Sequence, residues 1–244
     1  MMIFHHRQRN ISNIKLELFI NNTKIEQVKE FDFLGIMLDE CMTWNSHINK
    51  IAGKISRVNG VLSRLKRFVP CNILKMIYNA LIQPHLNYGV LLWGKNVARI
   101  KKLQKWSVRS ITLSKYNAHT DPLFIKLKLL QIQDIYSLSI LKFYHKYKNN
   151  SLPSFFNGMF EVTYPSHHHA TRQIDQPILA GCISKLAEST IRFSLPSTIS
   201  EIDENIMNKI HTHSLSGFSN YAKSLFIDKY NSVCMEQNCY VCNN

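Results

Sequence analysis

Ile48-Asn-Lys-Ile-Ala-Gly-Lys-Ile-Ser-Arg-Val-Asn-Gly-Val-Leu-Ser-Arg-Leu-Lys-Arg-Phe-Val69 sets the character of this chain. Ile48, Ile51, Ala52, Ile55, Val58, Leu62, Leu65 and Val69 recur at three- and four-residue intervals and so fall on one stripe of a helix. Lys50, Lys54, Arg57 and Arg64 fall largely opposite that stripe. The spacing predicts an amphipathic helix with a basic outer face, starting near Asn45 and stopped by Pro70, which has no N–H to give the helical ladder. Asn72 is placed to cap a second helix through about Ile82. Pro84, Gly89 and Gly94 then interrupt the chain before a third, basic helical segment, Val97 to Leu113, where Lys101, Lys102, Lys105 and Arg109 are most densely clustered.

Upstream, Ile14 to Ile20, the turn-forming pair Asn21-Asn22, and Thr23 to Val28 alternate apolar and polar residues as a β-hairpin does, with Glu30 to Leu38 as a third strand. Downstream, Thr120-Asp121-Pro122 reads as a helix start with proline in the first turn, leading to Leu129. Asp134 to Tyr147 is an aromatic-rich helix. A linker lies near residues 149–153, and residues 154–180 read as loop. Amphipathic helices are expected around Glu201 to Ile210 and Phe218 to Tyr230. The fold class expected is α+β, mainly α. It has a β segment at residues 1–40, a basic helical unit at 41–150, and a loop-rich then helical extension at 151–244.

The formal net charge of the 244 residues is +14. Between Cys41 and Thr120 there is no Asp or Glu but nine Lys and five Arg, so this segment carries the whole excess. It is also rich in Ile, Leu, Val, Trp and Tyr, which gives it the apolar content to fold and separates it from a disordered basic tail. A folded polyanion-binding module is the expectation, with nucleic acid the first partner and an anionic membrane the second, because bases near phosphates release condensed counterions. No apolar run approaches a membrane span, the first residues lack a signal core, and six cysteines do not form a secreted disulfide pattern. An intracellular location, nuclear or cytoplasmic, is expected.

Phe31-Asp-Phe-Leu-Gly-Ile-Met-Leu-Asp39 followed by Met42-Thr-Trp-Asn-Ser-His-Ile48 resembles the C-terminal half of LINE-type (non-LTR) retrotransposon reverse transcriptases. So do Leu62-Ser-Arg-Leu-Lys66, Ile77-Tyr-Asn-Ala-Leu-Ile-Gln-Pro-His-Leu-Asn-Tyr88, Leu92-Trp-Gly94, Leu103-Gln-Lys105, His119-Thr-Asp-Pro-Leu-Phe124 and Leu152-Pro-Ser-Phe-Phe156. Each block is weak alone; their order and spacing across residues 1–160 make the signal. The resemblance implies that residues 1–40 are a palm edge, that Phe33, Leu34 and Gly35 are primer-grip-like, and that the basic helices are a thumb on a template–primer duplex. It also implies Mg²⁺ in the intact enzyme, where aspartates, two of them in a Phe/Tyr-x-Asp-Asp turn, hold two ions for nucleotidyl transfer. No Asp-Asp pair occurs in this sequence, and Asp32 and Asp39 match no catalytic position. The chain therefore reads as a fragment without its own polymerase site or cofactor. The nucleic-acid contacts are assigned to Lys50, Lys54, Arg57, Arg64, Lys101, Lys102, Lys105 and Arg109, and the expected partner is an RNA–DNA or RNA duplex. A stand-alone domesticated nucleic-acid-binding protein and a degenerate reading frame are the alternatives.

Of the three tryptophans, Trp44 and Trp93 sit in apolar surroundings beside loop signals and are expected in the core, whereas Trp106, next to Lys105, is the candidate for base stacking. Cys234, Cys239 and Cys242 have the spacing of half a zinc site and need a fourth ligand from His211, His213 or the run His167-His168-His169; free tail thiols are the simpler reading. Ser214 beside His213 lacks any nucleophile-elbow context.

Overall fold

A computed structural model describes residues 1–5, 17–160, 190–202, 204–210 and 212–232. Asn21 and Asn22 both take positive φ, 47° and 60°, and close a two-residue turn between β1 (Phe19–Ile20) and β2 (Thr23–Lys24). The stretch expected as one further strand is instead a second hairpin. β3 (Glu30–Phe33) turns at Leu34, φ 50°, and Gly35, φ 81°, and returns as β4 (Ile36–Asp39), with Phe33 opposite Ile36 and Glu30 opposite Asp39. Leucine in a left-handed turn position is what hid it, since Phe-Leu-Gly-Ile reads as a continuous apolar run. The two hairpins form separate two-stranded sheets.

The Asp39 carboxylate then turns the chain into the first helix. It accepts hydrogen bonds from the backbone N–H groups of Cys41, Thr43 and Trp44 and from the Thr43 hydroxyl, at 3.0–3.1 Å. Those bonds hold a loop in which Met42 and Trp44 are both left-handed. α1 (Asn45–Leu65) follows and buries Ile48, Ile51, Ala52, Ile55 and Leu62, the expected stripe, together with His47 and Asn59. It ends a turn before Val69, and Phe68 projects into solvent. α2 (Cys71–Leu81) starts from Pro70 in extended backbone, so Asn72 lies inside the first turn and does not cap it. The proline- and glycine-interrupted stretch holds two short helices, α3 (Gln83–Asn87) and α4 (Val90–Trp93). α5 (Ala98–Ile111), α6 (Asp121–Leu127, with Pro122 in its first turn) and α7 (Ile132–Lys148) follow as the pattern predicts.

Beyond them, α8 (Ile191–Ser200), α9 (Glu204–Asn208) and α10 (Leu215–Asp228) end in a 3₁₀ turn at Lys229–Ser232. Ser214 caps α10, its hydroxyl accepting from the Gly217 N–H at 3.3 Å, which is a structural role for that hydroxyl. α1 packs along α5, and α7 packs against α4 and α5 as well as α8 and α10. The protein is thus α+β and mainly helical, with α7 as a shared wall of one core that includes Ile48, Trp93, Ile140, Phe218 and Tyr230.

Two polar groups inside that core tie elements together. The buried Gln104 amide donates to the Tyr78 hydroxyl and the Leu130 carbonyl, both at 2.9 Å, and its Oε1 accepts the Ile132 N–H at 2.8 Å. One side chain thereby joins α2, α5 and the α6–α7 connection. On the other side the Tyr230 hydroxyl donates to Asp134 and accepts the Gln131 N–H at 3.0 Å. Burial pushes the Asp134 carboxyl above its ordinary value, outweighing the Tyr230 hydrogen bond and the positive charges of Lys101 and Lys229. A carboxyl raised on folding contributes stability that is complete below its unfolded pKa and is lost as pH rises through the folded value. Asp134→Asn, which keeps an acceptor for Tyr230, is therefore expected to raise the melting temperature at pH 7 and to change nothing near pH 3. A variant less stable than wild type at pH 7 would contradict this account.

Candidate nucleic-acid interface

Contacts between α1 and α5 fix how the basic residues are presented. Arg99 donates to the Asn49 side chain, Asn59 donates to the Leu103 carbonyl at 3.0 Å, and Ser107 donates to Asn59 at 2.6 Å. Residue numbers rise together along both helices, so they run in the same sense. The segment's bases then divide among three surfaces.

Lys50 and Lys54 occupy the flank of α1 that faces the second hairpin and α3. Lys50 forms an ion pair with Asp32 of β3, and this contact holds the Asp32 carboxyl below its usual range. Lys54 lies close enough to help depress His47 and His85, although burial is the larger cause for both imidazoles. Arg57 and Arg64 point outward from α1 and are exposed. Arg57 only reaches back to the Gly53 carbonyl at 3.4 Å.

On α5, Lys101 turns toward α7 and donates to Gln133 at 2.7 Å. Arg109 donates to the Ala118 carbonyl at 2.9 Å, and burial lowers its guanidinium pKa. Lys102 is exposed and Lys105 half-buried; with Arg64 they have no hydrogen-bond or ion-pair partner among the described residues. The eight assigned residues thus do not share one surface. Arg64, Lys102 and Lys105 have no partner among the described residues and Arg57 bonds only its own helix, whereas Lys50, Lys101 and Arg109 each bond a residue outside their own helix and Lys54 lies near His47 and His85. Arg99, exposed between α1 and α5, was not among the eight; its place three residues before Lys102 and seven before Trp106 was the available signal.

The Phe33-Leu34-Gly35 block forms the tip of the β3–β4 hairpin, with Phe33 exposed and Leu34 74% exposed. The Tyr88 hydroxyl donates to the Leu34 carbonyl at 2.5 Å. Gly89 precedes α4 at φ 61°, a left-handed position that favours glycine, and lies against the hairpin, where a Cβ would meet the tip of the Ile36 side chain, Cδ1, at 2.6 Å. Trp93, 1% exposed, donates from Nε1 to the Tyr88 carbonyl at 3.0 Å. Its ring meets the edge of His47, whose Nδ1 accepts the Met37 N–H at 3.2 Å. Burial, reinforced by Lys50 and Lys54, holds His47 below its ordinary value, so at neutral pH the ring is uncharged with its proton on Nε2. Four sequence blocks separated by up to about fifty residues therefore meet at one corner of the fold.

Trp44 packs partly buried against the core and Trp93 is fully inside it, while Trp106 is 44% exposed. The cysteines at 234, 239 and 242, the histidines at 167–169 and His211 lie outside the described residues. His213 is described; its carbonyl oxygen accepts from His145 at 2.9 Å and its ring contacts Thr212. Among the described residues no group of three or more His, Cys, Asp or Glu is arranged to hold a metal ion, and no helix is long and apolar enough to cross a membrane.

The chain is similar to a probable RNA-directed DNA polymerase from transposon X-element of Drosophila melanogaster, 25% identical over 125 residues that cover 48% of this chain and 14% of that protein. It is also similar to the RNA-directed DNA polymerase from mobile element jockey of Drosophila funebris, 25% identical over 123 residues that cover 47% of this chain and 13% of that protein. The match thus spans only 13 to 14% of the length of these relatives. No protein-family model and no solved structure matches the chain. The sequence relation is to RNA-directed DNA polymerases of mobile elements.

Proposed function

We propose that this chain corresponds to the thumb and adjoining primer-grip segment of a retrotransposon reverse transcriptase and that it holds a template–primer duplex, RNA–DNA or RNA, without reading its sequence. The observation that carries the proposal is the outward face of α1 and α5. It presents Arg57, Arg64, Lys102 and Lys105 from a segment that contains no acid. Bases fixed on rigid helices contact phosphates at set positions and leave the bases of the duplex unread. In the same proposal the exposed Phe33-Leu34-Gly35 tip lies against the primer strand, anchored from behind by Tyr88, Gly89 and Trp93. Lys50, Lys101 and Arg109 then shape the surface more than they bind the ligand.

The test is fluorescence anisotropy of a labelled RNA–DNA hybrid titrated with the protein at two salt concentrations, beside a variant carrying Arg57→Glu, Arg64→Glu, Lys102→Glu and Lys105→Glu. Each phosphate contact contributes about 0.9 to the slope of log affinity against log salt, so losing four is expected to weaken binding more than about 100-fold near 0.1 M salt and to flatten the slope. These side chains are exposed or half-buried and have no ion-pair partner among the described residues, so the helical circular dichroism should be unchanged. Equal binding by both proteins, or no binding by wild type at low salt, would overturn the proposal.

A further inference from the structure

We infer that the outward stripe of α5 and the turn that follows it form a stacking site for an unpaired nucleic-acid strand, adjoining the proposed duplex surface through Lys102 and Lys105. The inference rests on the proposed nucleic-acid function and adds the strand state to it.

Arg99, Lys102 and Trp106 lie at three- and four-residue intervals and share one exposed face of α5. Trp106 is 44% exposed and, among the described residues, has no partner for its indole N–H and neither ring nor cation over its face. Trp93 differs on every count, being buried, hydrogen-bonded and packed on His47. Past the end of the helix, Leu113 is 63% exposed at φ 57° and Tyr116 is 90% exposed without a hydrogen-bond or ring partner among the described residues.

The turn that presents them is tightly bonded. Arg109 donates from Nε to the Ala118 carbonyl, its own carbonyl accepts the Ser114 N–H at 3.0 Å, and the Thr112 and Ser114 hydroxyls pair at 2.8 Å. A left-handed leucine is an unfavourable backbone state that the surrounding bonds must hold in place. The fold thus leaves two aromatic rings uncovered, Trp106 next in sequence to Lys105 and Tyr116 past the end of the helix, both in a sequence segment without acids.

The charge of this face selects a polyanion, and its rings select one with free π-faces. In an A-form duplex each base is covered above and below by its neighbours, so a ring on a convex helix finds no base face there. The bases of a single strand splay out and stack on aromatic side chains. An unpaired strand is therefore the ligand that uses both features.

The experiment titrates the whole protein, as wild type, Trp106→Ala, Trp106→Phe and Tyr116→Ala, with labelled oligo(dT), oligo(rU) and a blunt RNA–DNA hybrid, and follows intrinsic tryptophan fluorescence in parallel. Expected are single-strand affinities about 10-fold or more weaker in Trp106→Ala, substantially restored in Trp106→Phe, and reduced in Tyr116→Ala. Hybrid affinity should stay within about twofold, and the quenching that single strands cause in wild type should vanish when Trp106 is replaced.

Single-strand binding that is unchanged in Trp106→Ala, with hybrid binding intact, would overturn this inference and leave the duplex proposal standing. Absence of binding by wild type to the hybrid and to both single strands would overturn both. A change of oligomeric state in Trp106→Ala by analytical ultracentrifugation, with single-strand affinity unchanged, would make this face a protein interface and likewise overturn the inference.

Discussion

Gln104→Leu is expected to lower the free energy of unfolding by about 4 kcal/mol, because it removes a buried polar side chain that joins three helical elements inside the core. The Ile132 N–H and the Leu130 carbonyl lose their bonds to that side chain, as does the Tyr78 hydroxyl, and leucine offers none of them a replacement. A buried polar group left without a partner costs about 1–3 kcal/mol, so two or three such losses reach the stated figure even after some relaxation. Tyr78 is fully buried, which pushes its phenol well above its ordinary pKa, so it cannot escape the loss by ionising. Urea unfolding followed by circular dichroism measures the effect, with the slope against denaturant unchanged if both states keep their compactness. A loss below about 1 kcal/mol would mean that the Gln104 bonds do not stabilise the protein in solution.

Trp93→Ala is expected to cost a similar amount, about 3–5 kcal/mol, for a different reason. The indole fills space between α1, α4 and the second hairpin, and its removal leaves a cavity whose lining loses dispersion contacts. The Tyr88 carbonyl also loses its Nε1 donor, and His47 loses the ring it packs against. Because Tyr88 holds the Leu34 carbonyl, the damage should reach the hairpin tip. Trypsin cleavage after Lys29 should accelerate more in Trp93→Ala than in Gln104→Leu at matched global stability, since only the former loosens that corner. Equal cleavage in the two variants would separate Trp93 from the hairpin. Total stabilities of natural domains run about 5–15 kcal/mol, so either substitution is expected to leave little margin.

The two effects also show where the sequence blocks of the resemblance acquire their meaning. Gln104 belongs to Leu103-Gln-Lys105 and Trp93 to Leu92-Trp-Gly94, and both are buried fastenings. Such residues tell of the fold that presents a basic surface. The surface proposed to meet a ligand consists of Arg57, Arg64 and Lys102, which are exposed, and Lys105, which is half-buried.

By itself, the amino-acid sequence determined the longer helices of residues 45–148 and their polarity, but not the helix Ile191–Ser200. The 3.6-residue stripe through Ile48 and Leu62, proline at 70 and 122, and the Asn21-Asn22 turn are local signals that act within a few residues, and each is met in the structure. The absence of acids from Cys41 to Thr120 is likewise a property of the chain alone. Only the tertiary structure decided which bases remain available. Lys101 and Arg109 look identical to Lys102 and Lys105 on paper, but Gln133 and the Ala118 carbonyl take them up.

The turn at Leu34-Gly35 was also a tertiary decision. The Tyr88 hydroxyl, fifty-four residues away, bonds the carbonyl of a leucine whose left-handed backbone no local preference would select. The buried amide of Gln104 finds its partners on three separate elements for the same reason. Periodicity reports how one element divides its own faces between core and water, whereas partners brought in from distant parts of the chain exist only after the elements have packed.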